Sequence, residues 1–130
     1  MVKKQSPVWY TSIVFQGNKI GRTIGFPTVN LDPSIFPSEK KEGVYAAFVR
    51  HKHVVYPAAL YSGPRLVLGE TKKVLEIFIM DFDQNIYGKT IEFHVKDFIR
   101  EVKNFPTLDK FQQQLEKDVK KIAALLDKKS

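Results

Sequence analysis

The sequence predicts a mainly β protein, a small antiparallel barrel with one amphipathic helix at its C-terminal end. Three observations carry this expectation. Apolar residues fall in short runs instead of at helical spacing, the gaps between runs are turn-rich and too short for crossover helices, and a helical period appears only after Phe105-Pro106.

Taken in order, residues 8–15, 44–49, 54–61, 74–82 and 90–95 are the apolar runs and read as strands. Between them lie Gln16-Gly17-Asn18, Asp32-Pro33, Lys41-Glu42-Gly43, His51-Lys52-His53, Ser62-Gly63-Pro64 and Asp83-Gln84-Asn85, all turn-forming combinations. Short connections make neighbouring strands antiparallel. Five or six strands with no intervening helix must close on themselves or be covered, because open edges invite aggregation. After Phe105-Pro106, Leu108, Phe111, Leu115, Val119, Ile122 and Leu126 recur every three or four positions, the stripe of an amphipathic helix. Thr107 is the expected N-cap, Asp109 sits in the first turn, and Lys128-Lys129 follow where the helix dipole favours cations.

The 130 residues, 43% hydrophobic, suit one compact domain over 1–130 with no linker or internal repeat. Without cysteine there is no disulfide, no thiolate metal site and no cysteine nucleophile. No run approaches the ~18 apolar residues of a membrane span, and residues 1–7 lead into no signal-like apolar core, so a cytoplasmic location is expected. The net charge of +7 favours an anionic partner: nucleic acid, a membrane surface or a polyphosphate such as ATP.

Two stretches stand out chemically. Residues 90–96 alternate cleanly, but residues 74–82 are apolar on both faces except for Glu76. A carboxylate there loses solvation unless it finds a partner; the plainer expectation is that Glu76 points to solvent or pairs with Lys72 or Lys73. The second stretch, residues 17–31, spaces Gly17, Gly21 and Gly25 by four ahead of Pro27-Thr28-Val29-Asn30. Glycines so spaced let backbone amides approach a phosphate, although the pattern is neither the dinucleotide fingerprint nor the P-loop. Gly88-Lys89-Thr90 fails as a P-loop too, with Asp83 where the first glycine belongs. On an extended segment Thr28 and Asn30 point to one side and offer two neutral oxygens of the kind hard cations accept; a turn and strand start explains the stretch equally well. His51, His53 and His94 show no metal or triad spacing, no G-x-S-x-G is present, and His51-Lys52-His53 reads as a solvated turn. Arg22, Arg65 and Arg100 are loop arginines suited to clamping phosphate or aromatic groups.

Residues 17–30 resemble the signature of the riboflavin kinase (flavokinase) family, G-x3-G-R-x-x-G-x-P-T-x-N. The resemblance continues through Gly43-Val44-Tyr45, Leu75-Glu76, Asp81-Phe82-Asp83-Gln84-Asn85-Ile86-Tyr87-Gly88-Lys89, residues 98–105 and Leu115-Glu116-Lys117-Asp118, covering roughly residues 12–122. It implies a six-stranded antiparallel Greek-key β-barrel with a C-terminal helix, and transfer of the ATP γ-phosphoryl to the riboflavin 5′-hydroxyl, giving FMN and ADP. It further implies that Thr28 and Asn30 hold Mg2+ and the nucleotide phosphates, that Gly17, Gly21, Arg22, Gly25 and Pro27 belong to the nucleotide loop, and that Glu76 is the catalytic base. Arg100, in the loop before the helix, and Glu101 match the flap that shapes the flavin and nucleotide sites. Implied partners are riboflavin, FMN, ATP and ADP, with no nucleic acid or membrane, for a monomer.

Departures flank that site. Ile77-Phe78 replaces the x-His that usually follows the glutamate, and Tyr61-Ser62-Gly63-Pro64-Arg65-Leu66-Val67 keeps Gly63 and Arg65 of Asn-Ile-Gly-x-Arg-Pro-Thr but loses Pro-Thr. They leave a catalytically weakened flavin- or nucleotide-binding relative as the alternative. A third reading is a basic barrel that binds single-stranded nucleic acid through Trp9, Tyr10, Tyr56 and Tyr61, against which stands the ordinary role of aromatics in a core. The adenylyltransferase fused to this module in many bacterial relatives, and with it FAD synthesis, is expected to be absent.

Overall fold

The computed structural model describes residues 7–16 and 25–128. Six strands, β1 (Tyr10–Ile13), β2 (Val29–Leu31), β3 (Gly43–His51), β4 (Val54–Pro64), β5 (Lys73–Ile79) and β6 (Thr90–Glu101), precede one helix, α1 (Leu108–Lys128). Short 3-10 turns span Pro33–Ile35 and Leu66–Leu68. The strands form one sheet in the order β1-β6-β3-β4-β5-β2, and every pairing is antiparallel. Within that order β6-β3-β4-β5 is a Greek key, three consecutive strands with the fourth returning beside the first. The two ends of the sheet meet at Phe15 and Asn30, whose backbones exchange two hydrogen bonds of 2.9 and 3.1 Å. This bridge nearly closes the sheet into a barrel.

Alternation sorts each strand's side chains between two cores. Val49, Ala58, Leu60, Leu75, Ile77, Ile91 and Phe93 point inward and fill the barrel. On the outer wall, Val44, Ala46 and Met80 meet Ile122 and Leu126 of α1, with Tyr61, Phe78, Ile99 and Val119 around them. The helix therefore covers one side of the barrel with the stripe the sequence predicts. Thr107 caps it, its Oγ1 accepting from the Lys110 amide at 3.2 Å. Leu108 is a correction: at the first helical position it overhangs the contact and is 43% exposed.

Several boundaries move. The run at residues 8–15 pairs regularly only over Tyr10–Ile13, and the run at 74–82 ends as strand at Ile79, before Asp81 at a φ of 57°. A short strand, β2, lies in the stretch read as turn and strand start. The last strand runs to Glu101, so Arg100 belongs to β6 and not to the loop before the helix. Register shifts against β3 between Val44 and Tyr45 and between Ala46 and Ala47 explain why alternation fades after Val95 while pairing continues. Gly43 faces this end of β6, and a Cβ there would run into the Arg100 carbonyl oxygen. Lys52 and His53, at φ of 49° and 68°, make a tight two-residue turn between β3 and β4. His51 itself is not solvated; it is 7% exposed, with its ring edge-on to Phe82.

The aromatics considered for base stacking are engaged elsewhere. Tyr10 and Tyr56 pack on the barrel core, Tyr61 on the outer core, and Trp9 lies under the Arg50 guanidinium at 4.0 Å. Among the described residues no helix is long and apolar enough to cross a membrane.

Candidate active site at the barrel seam

Between the outer wall of the barrel and the first half of α1 lies a cleft of about 930 Å³, its open mouth included. Phe26, Ala59, Tyr61 and Phe78 form one wall, Leu66, Val67 and Leu68 a second, and Phe105, Phe111 and Leu115 the third. The lining is mostly apolar and aromatic with a few polar groups at one end, the character of small-molecule sites. Phe78, where the sequence departs from the family pattern, meets Phe26 edge-on at 5.5 Å and lines that wall. Leu66 and Val67, the other departure, extend the apolar lining.

The polar end of the cleft is assembled by strand register. Asn30 of β2 stands directly opposite Glu76 of β5, and both side chains project outward because Val29, Leu31, Leu75 and Ile77 pack inward. Glu76 pairs with neither Lys72 nor Lys73: its Oε1 accepts from Arg65 Nε at 2.5 Å. The same guanidinium donates through Nη2 to Asn30 Oδ1 at 3.1 Å and through Nη1 to Glu70 Oε1 at 3.2 Å. The Asn30 amide is oriented from its other side by Nδ2, which donates to the Gln16 carbonyl at 3.3 Å. Glu76 and Arg65 are 13% and 17% exposed. Burial pulls the Arg65 pKa down, but the hydrogen bonds and charges of Glu76 and Glu70 outweigh it and hold it above the ordinary value. Tyr61, opposite Glu76 on β4, donates to the Pro64 carbonyl, and burial pushes its phenol up to about 12.

Thr28 lines the cleft beside this cluster, and Gly25 holds a φ of 89° that other residues rarely adopt. Pro27 is exposed between them. Gly17, Gly21 and Arg22 lie outside the described residues. Arg100 also lines the cleft, its Nε bonded to both carboxylate oxygens of Asp118 at 3.0 Å and its Nη1 to the Glu101 carbonyl at 3.1 Å. Asp118, 4% exposed, also accepts from Gln114 at 2.9 Å. Glu101 is exposed at the end of β6. The structure thus gathers Thr28, Asn30, Glu76 and Arg100 around one cleft and adds Arg65, Glu70, Tyr61 and Asp118. Asp118 had a signal, a carboxylate inside the apolar stripe of α1; Arg65 stood out as a loop arginine and as a retained residue of the family stretch, with no role assigned to it.

Among the described residues no cluster of three or more His, Asp or Glu suits a metal. Magnesium needs fewer protein ligands, since it keeps waters and takes phosphate oxygens. The donors of Thr28, which lines the cleft, and of Asn30, two residues on and opposite Glu76, are a hydroxyl and an amide oxygen, both hard oxygens of the kind it accepts.

Comparison with known proteins decides the family. The flavokinase (riboflavin kinase) family model matches residues 4–126. The chain belongs to the riboflavin kinase family. It is 38% identical over 117 residues to a bifunctional riboflavin kinase/FMN adenylyltransferase of Haemophilus influenzae, covering 88% of this chain and 37% of that one. It is 34% identical over 111 residues to the RNA-binding riboflavin kinase RibR of Bacillus subtilis, covering 85% and 47%. The chain therefore spans less than half the length of these relatives. Among solved structures, a macrolide-efflux protein from Streptococcus pneumoniae aligns with a TM-score of 0.75 and 32% identity over 88% of this chain and 38% of that one. A riboflavin kinase from Trypanosoma brucei aligns with a TM-score of 0.63 over 97% and 83%, at 20% identity, a likeness of fold.

Proposed function

We propose that this chain is a magnesium-dependent riboflavin kinase that transfers the γ-phosphoryl of ATP to the ribityl 5′-hydroxyl of riboflavin, giving FMN and ADP. The observation that carries the reading is the cross-strand pair Asn30 and Glu76 at the polar end of an apolar cleft with aromatic walls. Family membership supports it independently.

Phosphoryl transfer asks a protein mainly for in-line positioning and charge neutralisation. The cleft takes the flavin ring and excludes water from it, leaving the ribityl chain to run toward Glu76. The hydroxyl oxygen bonds to the γ-phosphorus as the bond from that phosphorus to the ADP oxygen breaks, and the hydroxyl proton passes to the Glu76 carboxylate. Arg65 orients that carboxylate through Oε1. Thr28 and Asn30 would hold magnesium together with the phosphates, and the metal, when bound, offsets charge on the phosphate oxygens. Gly17, Gly21, Arg22, Gly25 and Pro27 supply the nucleotide loop, and Arg100 with Glu101 borders the flavin side.

The test is FMN formation from riboflavin, ATP and magnesium, followed by chromatography. A positioned general base contributes about 10² to 10⁴ in rate, so Glu76→Gln is expected to lower kcat by about that factor with nucleotide affinity retained. Full activity in that variant refutes the role of Glu76; no FMN from the wild-type chain refutes the function.

A further inference from the structure

We propose that Arg65 binds the phosphoryl group in transfer and keeps hold of it in FMN, taking it over as Glu76 gives up its charge. The inference rests on the reading of Glu76 as base and of Asn30 as a residue of the phosphate site, and adds a role for the guanidinium that joins them.

Arg65 lines the cleft and touches both residues, through Nε to Glu76 Oε1 and through Nη2 to Asn30 Oδ1 at 3.1 Å. The ribityl hydroxyl must come within hydrogen-bond reach of the Glu76 carboxylate to lose its proton there, and the phosphates must lie beside Asn30. A group in contact with both side chains therefore stands where the attacking oxygen meets the phosphorus. A guanidinium carries five N–H donors in a rigid fork and stays charged at any working pH. Among the described residues three of them are engaged, by Glu76, Asn30 and Glu70. The remaining donors can meet phosphoryl oxygens without the loss of any present partner.

The reaction itself changes the charge beside Arg65. As the hydroxyl oxygen bonds to the phosphorus and the bond to the ADP oxygen breaks, Glu76 takes the hydroxyl proton and becomes a neutral acid. Its bond to Arg65 then loses the charge assistance of a carboxylate. The guanidinium, only 17% exposed, faces a phosphate ester in place of that carboxylate. Glu70 does not replace it, because Glu70 is 44% exposed and screened by water. It serves as a tether: its amide donates to the Arg65 carbonyl at 3.2 Å around the Leu66–Leu68 turn, and its carboxylate holds Nη1 at 3.2 Å. Arg65 thus stays at the cleft while its main partner changes.

The experiment measures binding of FMN and of riboflavin to the full chain by flavin fluorescence, without nucleotide or metal, so that the two ligands differ only in the phosphate. Arg65→Gln is expected to weaken FMN binding roughly tenfold or more, as loss of charge-assisted hydrogen bonds does, and to leave riboflavin affinity unchanged. Glu76→Gln, a neutral stand-in for the protonated base, is expected to bind FMN more tightly than wild type, and adding Arg65→Gln is expected to abolish that gain. Arg65→Lys keeps the charge but not the fork, so its FMN affinity is expected to fall between wild type and Arg65→Gln, and it carries the test if the glutamine variant does not fold. Unchanged FMN affinity in the Arg65 variants overturns the proposal. Equal weakening of both flavins overturns it too, because Arg65 would then only support the cleft, and so does a gain in Glu76→Gln that survives Arg65→Gln. FMN formation by the wild-type chain is measured separately, so a kinase whose Arg65 variants keep their FMN affinity fails this proposal and leaves the function standing.

Discussion

His51 shows how one side chain can tie stability to pH. Its ring is buried at the end of β3 against Phe82, and its pKa is lowered below the ordinary 6.5 by burial first, then by Lys52 and Lys89. The folded state thus binds its proton more weakly than the unfolded chain. Stability from this group is complete above the unfolded value and is lost as pH falls toward the lowered folded value. Urea unfolding between pH 8 and about 5 is expected to show wild-type stability declining below about pH 6.5, with a flatter profile in His51→Gln. Equal slopes for the two proteins would show that another group titrates in this window. The histidine was visible in the sequence, but beside Lys52 and His53 it looked solvated; only the extension of β3 through His51 buries it.

The helix α1 does two jobs, and the sequence disclosed one of them. Its apolar stripe announced packing on the barrel, and Ile122 and Leu126 pack there. Its second job is to hold Arg100, which sits on the last turns of β6 pairing opposite Val44, through the buried carboxylate of Asp118. That pairing was hidden because register shifts carry β6 beyond its visible alternation, and because a charge within a stripe says nothing of its partner. Removing one partner of a buried pair leaves the other uncompensated. Asp118→Asn is expected to cost about 2 kcal/mol, less than for a pair wholly removed from water because Arg100 keeps some access to solvent. The midpoint of chemical denaturation checks it, and a midpoint unchanged from wild type would show that Gln114 and solvent replace the carboxylate.

At the scale of the whole barrel, the candidate site lies where the sheet closes. Composition and strand runs foretold a barrel, and the glycine-rich signature singled out Thr28 and Asn30 as candidates, but β2 spans only Val29–Leu31, too short for an apolar run to reveal. Without β2 in place, nothing in the sequence sets Asn30 opposite Glu76 or brings Arg65 to both. The closure depends on few bonds: Phe15 donates its amide to the Asn30 carbonyl at 2.9 Å and accepts the Asn30 amide in return, while Gln16 orients the Asn30 side chain. The apolar walls of the cleft come mainly from β4, the Leu66–Leu68 turn and α1, and the seam borders only its polar end through Thr28 and Glu76. Phe15→Pro removes the donor from the seam while its half-exposed ring contributes little to the core. The variant is therefore expected to bind magnesium–ATP roughly tenfold more weakly, as loss of about one well-placed hydrogen bond and its positioning would produce. Riboflavin binding, read by fluorescence quenching, is expected to stay near wild type. Calorimetric titration with magnesium–ATP beside the flavin titration separates the two effects: weakening of both would mean that the seam supports the whole barrel, and weakening of neither that Asn30 holds its place through β5 alone.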